Sequence, residues 1–367
     1  MFSMKKHKIL FDYSPLCREN KTGIPVFVEK LYAALEKKEE IKLEKTFSFC
    51  KYISTKHWKA YRFFEQVLYH NLYLPFKLYF GKYDVYVENQ YMFIPLFKPK
   101  NTLVVTVLYD IALVLYDDLQ TKKHTQKWRK NLPKSIHNSD ILLTISQSSK
   151  IDIEKYLISI QQDKPVEYIY IDTDEVQQTA HDKQSVMHKY GIKNHYFLFL
   201  GTLEPRKNPL NLVKAFHLFK QQTNSDIQLV YAGKKGWLYD DVLAYVKEHA
   251  LEHDVIFTGF VSDEEKEILL RHSSAFLFLS IYEGFGIPVL EALRRNVPCL
   301  VSDIAVFHEL FSTNICYTNH EKPEEIALGM KKILHTPPKI NIPSLEKFSW
   351  EASANQFVDM LLHHIQR

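Results

Sequence analysis

Residues 276–300 read FLFLSIYEGFGIPVLEALRRNVPCL, and this stretch determines the fold of the second half of the chain. It begins with a short apolar, aromatic-rich run, which predicts a buried strand. Gly284 and Gly286 follow in a loop, and Pro288 stands where a helix would begin, since the first helical turn does not need the N–H that proline lacks. A strand, a glycine loop and a helix N-terminus together present backbone N–H groups to an anion such as a phosphate.

Two carboxylates interrupt this anion site. Glu283 precedes the glycines and Glu291 follows eight residues later, and neither would help to hold a bare phosphate. They are expected to face hydroxyl groups or positive charge. A sugar nucleotide offers both a diphosphate and two sets of sugar hydroxyls, so it fits all parts of the pattern.

The stretch YEGFGIPVLEA resembles the E-x7-E signature of the retaining glycosyltransferases of family 4, which have the GT-B fold. The same spacing of two glutamates alone is also common on solvated helices. The resemblance implies that Glu283 lies beside the transferred sugar and that Glu291 binds the ribose hydroxyls. It also implies that the donor is bound by the loop between them, at Gly284, Phe285, Gly286 and Ile287.

A second motif lies in residues 196–216, YFLFLGTLEPRKNPLNLVKAF. It resembles the G-x-x-x-x-R-K-N motif of the family, which implies that Gly201, Thr202, Arg206 and Lys207 bind the donor. The chemistry is sound without the resemblance, because a leaving nucleoside diphosphate gains negative charge that two fixed cations stabilise without a metal. The alternative is an ordinary pair of solvated cations in a loop.

Three further segments contain candidate residues because of the resemblance. Val261 follows a strand that ends at Gly259, where the family places the nucleobase. Gly23 stands in TGIPVFVEKL, which resembles the glycine loop TGIGRYxxxL near donor and acceptor, although an ordinary strand-to-helix turn would look the same. Tyr109 and Asp110 follow the strand LVVTVL, where family members often have His-Asp. Asp110 is therefore either structural or a contact of the acceptor, and a histidine contact to the sugar is in doubt.

Asp172-Thr173-Asp174 is a D-x-D sequence, which in the other large glycosyltransferase fold holds a divalent cation under the diphosphate. That role requires a place after a nucleotide-binding strand of the first domain. Here the sequence falls at the junction of the two predicted domains, which favours a turn. We therefore expect no metal and no other cofactor.

The chain has 367 residues, a length that predicts two domains of ordinary size. Its first residues pass from a basic patch into a strand pattern, without the apolar segment that a signal peptide needs. No run approaches the length of a membrane span. We expect a cytoplasmic protein, with its four scattered cysteines reduced.

Residues 51–82 contain ten aromatic residues and six Lys or Arg, but a single acidic residue, Glu65. This mixture suits the surface of an anionic membrane. It would also suit single-stranded nucleic acid, but no nucleic-acid-binding motif accompanies it, so no such partner is expected. The alternative is a helical hairpin packed on its own domain. Residues 1–180 hold 27 Lys and Arg against 21 Asp and Glu, a net charge of +6, which also favours an anionic partner.

Alternating strand and helix patterns predict an α/β protein with two Rossmann-like, doubly wound domains that face a central cleft. The predicted ranges are 1–172 for an acceptor-binding domain and 173–350 for a nucleotide-sugar-binding domain. Residues 351–367 are predicted to form a helix that returns to the first domain, as in the family.

The resemblance implies a retaining, metal-independent glycosyltransferase that moves a hexose-type sugar from a nucleotide sugar to a glycan or lipid-linked acceptor. Synthesis of bacterial surface polysaccharide or lipopolysaccharide is the expected context, with a possible site at the inner face of the cytoplasmic membrane. Two alternatives stay open: an inactive sugar-binding or lipid-binding subunit, and a nucleotide-sugar epimerase. The chain is too short for a phosphorylase of the same fold.

Overall fold

The computed structural model describes residues 6–17, 23–48, 64–90, 95, 97–120, 122–173 and 182–366. The chain forms two compact units. Unit 1 comprises Met1–Val114, Lys123–Asp172 and Lys347–Arg367, and unit 2 comprises Leu115–Lys122 and Thr173–Glu346.

These units differ from the predicted domain ranges in two places. The segment Leu115–Lys122 lies in unit 2, although the sequence places it in the middle of the first domain. Side-chain contacts hold it there: the ring of Tyr116 lies 5.5 Å from that of Tyr282, and Trp237 donates a hydrogen bond to the carbonyl of Leu119 at 3.0 Å. The segment that returns to unit 1 begins at Lys347, four residues earlier than predicted.

Unit 1 contains a six-stranded parallel sheet with the order β2-β1-β3-β4-β5-β6. Its strands and helices are β1 (His7–Asp12), α1 (Ile24–Leu35), β2 (Ile41–Thr46), a π helix (Phe64–Tyr73), α2 (Leu74–Gly81), β3 (Val85–Glu88), β4 (Leu103–Val107), α3 (Ala112–Leu115), α4 (Lys122–Asn138), β5 (Ile141–Thr144), α5 (Gln147–Ser159) and β6 (Val166–Tyr168).

Unit 2 contains a second six-stranded parallel sheet, with the order β12-β11-β10-β7-β8-β9. Its elements are α6 (Lys183–Tyr190), β7 (Tyr196–Leu200), α7 (Pro209–Thr223), β8 (Gln228–Ala232), α8 (Asp240–Glu248), β9 (Val255–Gly259), α9 (Asp263–Arg271), β10 (Ala275–Phe278), α10 (Ile287–Arg294), β11 (Cys299–Ser302), α11 (Ala305–Phe311), β12 (Cys316–Thr318) and α12 (Pro323–His335).

The last helix, α13 (Trp350–Ile365), packs against α1 in unit 1. Ser349 caps its N-terminus by accepting a hydrogen bond from the backbone N–H of Ala352. Ser353 donates to the carbonyl of Tyr170 at 2.6 Å, and Lys38 donates to Asn355 at 2.5 Å. The predicted return of the C-terminal helix to the first domain is therefore confirmed.

The two strands at the centre of the unit 2 sheet, β10 and β7, are apolar along their whole length because helices cover both faces of the sheet. All five residues of β7 and all four of β10 are buried. The ring of Phe199 in β7 stacks on Tyr231 in β8 at 4.2 Å and on Phe278 in β10 at 5.6 Å. The predicted α/β class with two doubly wound parallel sheets is confirmed, and the cleft between the domains stays a prediction.

The predicted aromatic and basic segment 51–82 is covered in part. Residues 51–63, with Trp58, lie outside the described ranges, whereas the π helix and α2 lie within them. Within the described ranges, every helix is too short or too polar to cross a membrane.

Candidate active site

The candidate site forms where β7 and β10 end. These strands are neighbours in the parallel sheet of unit 2, so their carboxyl ends meet at the same edge, where α/β sheets bind ligands. The loop after β7 holds a short 3-10 helix, Pro205–Lys207, and the loop after β10 holds Glu283 and the two glycines. A backbone hydrogen bond of 2.8 Å from the N–H of Ile281 to the carbonyl of Arg206 joins the loops.

Four charged side chains form a compact ion cluster between these loops. The Nζ atom of Lys207 lies 2.5 Å from one carboxylate oxygen of Glu283, and Arg206 lies 3.3 Å from the other. Arg206 also contacts Glu204 at 2.9 Å and donates to the carbonyl of Tyr282 at 2.8 Å. The side chains are between 7% and 18% exposed. The two predicted cations are therefore fixed in place and matched by two carboxylates.

The pKa values in this ion cluster reflect the balance of burial and charge. Burial raises the pKa of Glu283, but the charges of Lys207 and Arg206 outweigh burial and hold the pKa below its usual range. Burial lowers the pKa of Lys207, with Glu283 opposing the shift and Arg206 adding to it. Glu283 is thus a charged acceptor of hydrogen bonds at neutral pH and not a proton donor.

The glycine loop leads directly into α10. Gly286 is the N-cap residue of this helix, with a φ of 107°, a conformation that favours glycine. A Cβ atom at this position would lie 2.7 Å from the ring of Phe307, so a side chain does not fit. The side chain of Phe285 is only 2% exposed and belongs to the core, so only its backbone is available to a ligand.

Glu291 lies on α10 and is paired with a lysine that the sequence interpretation missed. Lys266 of α9 lies 2.8 Å from Glu291. Burial lowers the pKa of Lys266, but the negative charge of Glu291 outweighs it and raises the pKa overall. Arg295 donates to the carbonyl of Glu291 at 2.8 Å and is itself held by the buried Glu267. These bonds fix Glu291 on the helix.

Gly201 and Thr202 lie beside the ion cluster, and their backbone groups are engaged within the sheet. Gly201 donates its N–H to the carbonyl of Ala232 at 3.0 Å, and the carbonyl of Thr202 accepts from Tyr231 at 3.1 Å. A Cβ atom on Gly233 would lie 1.8 Å from the carbonyl oxygen of Gly201, so this close approach of two backbones requires glycine. Val261 follows β9, two strands from β7 in the sheet, and is half-buried.

The remaining predicted positions lie in unit 1. Asp110 accepts a hydrogen bond from the backbone N–H of Ala112 at 3.0 Å, which favours the structural interpretation of this residue. The ring of Tyr109 packs edge-on against Phe27 at 5.1 Å. Gly23 is the N-cap residue of α1 with a φ of 65°, a conformation that favours glycine.

The sequence interpretation missed two charged residues of the site. Glu204 stands two residues before Arg206, and its acidic character beside two cations is a signal for an ion pair. Lys266 stands among acidic residues at the start of a helix, in SDEEKE, and in the sequence it looks like an ordinary partner of these neighbouring acids. Its pairing with Glu291, 25 residues away, depends on the packing of α9 against α10.

Among the described residues, no group of three or more His, Cys, Asp or Glu side chains is arranged to hold a metal ion. Asp172 lies within the described ranges and Asp174 lies outside them. The observation therefore does not test whether the two aspartates of the D-x-D sequence hold a metal together.

A family model for glycosyl transferases group 1 matches residues 182–350, which contain the ion cluster, the glycine loop and Glu291. The match begins near the start of α6 and ends at the start of α13, so it covers most of unit 2.

Curated relatives extend the similarity. The O-antigen chain mannosyltransferase B of Escherichia coli is 27% identical over 263 residues, which are 70% of this chain and 69% of that protein. The serotype-specific mannosyltransferase WbdA of Escherichia coli is 31% identical over 155 residues, which are 42% of this chain and 19% of WbdA. The chain thus spans only about a fifth of WbdA.

Solved structures confirm the GT-B fold. The crystal structure of Anabaena HepE in complex with UDP and glucose superimposes with a TM-score of 0.66 and 15% identity, over 97% of this chain and 99% of HepE. At this identity the similarity establishes the fold alone.

Proposed function

We propose that this protein is a retaining, metal-independent glycosyltransferase of family 4 that transfers a hexose from a nucleoside-diphosphate sugar. Mannose is the sugar that the relatives support best, because both Escherichia coli proteins are named mannosyltransferases. The expected product is a surface polysaccharide, since one of these relatives is named for the O-antigen chain.

The observation that supports this function most directly is the position of Arg206 and Lys207. Both cations are held by carboxylates that are only 7% and 10% exposed, at the edge of the sheet where α/β proteins bind ligands and next to the N-terminus of α10. A diphosphate placed there would meet two preoriented cations and a helix N-terminus. This arrangement stabilises the charge that develops on the leaving group.

The charge state of Glu283 favours a particular mechanism. Because Lys207 and Arg206 keep this carboxylate ionised, it is unsuited to protonate a leaving group and well suited to accept hydrogen bonds from sugar hydroxyls. We therefore assign it to binding the transferred sugar. The acceptor hydroxyl would lose its proton to the departing phosphate on the same face of the sugar, which gives retention of configuration without a covalent intermediate.

The nucleotide is assigned to the rest of the same sheet edge. Glu291, whose carboxylate is held by Lys266, would accept hydrogen bonds from the ribose hydroxyls, and the backbone near Val261 would contact the base. Gly201, Thr202 and the loop from Gly284 to Ile287 would line the diphosphate. The acceptor is a glycan or lipid-linked glycan, and the proposed location is the cytoplasm or the inner face of the cytoplasmic membrane.

The test is a panel of nucleoside-diphosphate sugars, with release of nucleoside diphosphate and the configuration of the product as readouts. We expect release of nucleoside diphosphate from one or two donors, fastest with a mannosyl donor. The new glycosidic bond of the product should have the same anomeric configuration as the donor. A binding subunit would release nothing from any donor. An epimerase would convert the sugar while it stays attached to the nucleotide.

A further inference from the structure

The outer side of α2 is an exposed aromatic surface on unit 1. Phe76, Tyr79 and Phe80 are 60%, 69% and 73% exposed, whereas Leu74 and Leu78 on the inner side are fully buried. At 100° per residue the three rings fall within one third of the helix circumference. Leu72 and Tyr73, at the end of the π helix, are about half exposed and extend this surface.

This surface is unusual for a helix that faces water. The eight residues of α2, LPFKLYFG, include one charged residue, Lys77, and apolar side chains on both the inner and the outer side. A helix that is apolar all round is normally buried in protein or in contact with lipid. Lys77 is paired with Glu44 at 3.1 Å, so it gives the surface little net charge.

Positive charge comes from a second helix. The 17 residues of α4, KKHTQKWRKNLPKSIHN, contain six Lys or Arg and no acidic residue. Its inner side is apolar, because Trp128, Leu132 and Ile136 belong to a buried core cluster. Arg129, Lys130 and Lys134 are exposed on its outer side.

The two helices lie on the same face of the sheet. The core under α2 includes Tyr86 of β3 and Val104 of β4, which are paired, and the core under α4 includes Leu142 of β5. Leu142 is paired with Thr106, two residues after Val104. Because alternate residues of a strand point to the same face, Val104 and Leu142 share a face. The aromatic side of α2 and the basic side of α4 therefore both point away from this face.

We infer that this face of unit 1 docks on an anionic lipid bilayer, with Phe76, Tyr79 and Phe80 at the level of the headgroups and the exposed Lys130 and Lys134 of α4 against lipid phosphate. Aromatic rings favour the membrane interface, and nearby cations add attraction to anionic lipid. A second copy of the chain fits less well, because a symmetric contact through this face would bring two basic helices together. Docking would bring a lipid-linked acceptor within reach of the enzyme. Only this consequence rests on the proposed function.

The experiment is sedimentation of the full chain with phosphatidylcholine vesicles, with or without phosphatidylglycerol. We expect binding to the anionic vesicles, weaker binding to neutral ones and a decline with added salt. The variant F76S/Y79S/F80S should lose about tenfold or more in the partition coefficient on both kinds of vesicle. The variant K130E/K134E should lose as much on anionic vesicles and little on neutral ones.

Matched controls lie in unit 2. The substitution L328S removes a side chain that is 59% exposed on α12, and K193E/K247E reverses two exposed charges. Both controls should bind vesicles as the wild type does. All variants should keep the wild-type rate of donor hydrolysis in the absence of lipid, so loss of docking is distinguished from loss of catalysis. If the protein binds vesicles but hydrolyses no donor, the docking surface is supported and the proposed function is contradicted.

Three results would overturn the inference. The first is wild-type vesicle binding by both surface variants. The second is wild-type binding of K130E/K134E to anionic vesicles, in the case that F76S/Y79S/F80S melts several degrees below the wild type and so shows that its rings are internal. The third is a wild-type dimer, seen by analytical ultracentrifugation, that these substitutions dissociate.

Discussion

The two sheets present different chemistry at their carboxyl ends. In unit 2, the ends of β7 and β10 hold Arg206 and Lys207 against Glu204 and Glu283, as close ion pairs. In unit 1, the end of β1 holds the buried Asp12, whose carboxylate accepts hydrogen bonds from the backbone N–H and hydroxyl of Ser14 at 3.0 and 2.5 Å. A longer contact of 3.5 Å joins it to the side-chain amide of Gln90.

The difference shows that the same architecture can hold its charged side chains in two different environments. Cations fixed by carboxylates suit a diphosphate, whereas carboxylates among neutral donors suit hydroxyl groups or a purely structural role. The pKa values move in opposite directions for this reason. Burial raises the pKa of Asp12 despite the opposing hydrogen bonds of Ser14, while the neighbouring cations lower that of Glu283.

The largest expected effect concerns the cations of unit 2. Substituting Arg206→Ala or Lys207→Ala should slow transfer by about 10²–10³-fold at saturating donor, since each change removes charge stabilisation from the departing diphosphate. Steady-state kinetics measures the effect. Lys247→Ala, an exposed lysine of the same unit, is the control. Near-normal turnover in either site variant would show that the ion cluster is structural.

The next effect concerns donor binding. Glu291→Ala should weaken binding of the donor by about 1.5–3 kcal/mol, because charge-assisted hydrogen bonds to ribose are lost. Calorimetric titration with the nucleoside diphosphate and with the free sugar phosphate separates the ribose contribution. An unchanged affinity for the nucleoside diphosphate would rule out the ribose role and leave Glu291 as the partner of Lys266.

A smaller effect tests the opposite pKa shifts directly. Glu283→Gln should lower the free energy of unfolding at pH 7 by about 1 kcal/mol, because a lowered pKa means stability that is present above the unfolded value of 4.5. This loss should vanish as the pH falls through the folded pKa. Asp12→Asn should behave in the opposite way, since a raised pKa means that ionisation costs stability as the pH rises above 3.8.

Urea unfolding of both variants between pH 3 and pH 7 measures these slopes. Asparagine at position 12 keeps an oxygen that can accept from Ser14, so the substitution isolates the charge. Parallel pH profiles for the two variants would contradict the difference between the two strand ends.

The smallest expected effect is that of a chelator. Transfer should continue at the wild-type rate in EDTA, because Arg206 and Lys207 provide the charge that a metal would otherwise supply. Loss of activity that manganese restores would return Asp172 and Asp174 to consideration as metal ligands.

Local patterns predicted the elements of unit 2 well. The run YFLFL forms β7 and the run AFLF lies in β10, because continuous apolar residues of this length favour a strand that is covered on both faces. Pro288 lies in the first turn of α10, where its missing N–H has no cost, and Gly286 adopts the positive φ that the turn needs. These features depend on a few neighbouring residues.

Predictions that depend on distant contacts were less complete. The segment Leu115–Lys122 lies in unit 2 because Tyr116 packs on Tyr282 and Trp237 bonds to Leu119, contacts that span more than 100 residues and leave no local signal. The basic helix α4 was not connected with the aromatic helix α2 because only the strand pairing places both helices on one face of the sheet.

The sequence by itself determined the two α/β units, the glycine loop and the two motifs with their charged residues, because strand, turn and helix signals lie within short windows. Only the tertiary structure decided the partners of those charges. Lys207 meets Glu283 across 76 residues and Lys266 meets Glu291 across 25, where parallel strands and packed helices bring them together. The physical reason is that the charge state of a buried side chain depends on its neighbours in space, and these are set by the packing of the whole unit.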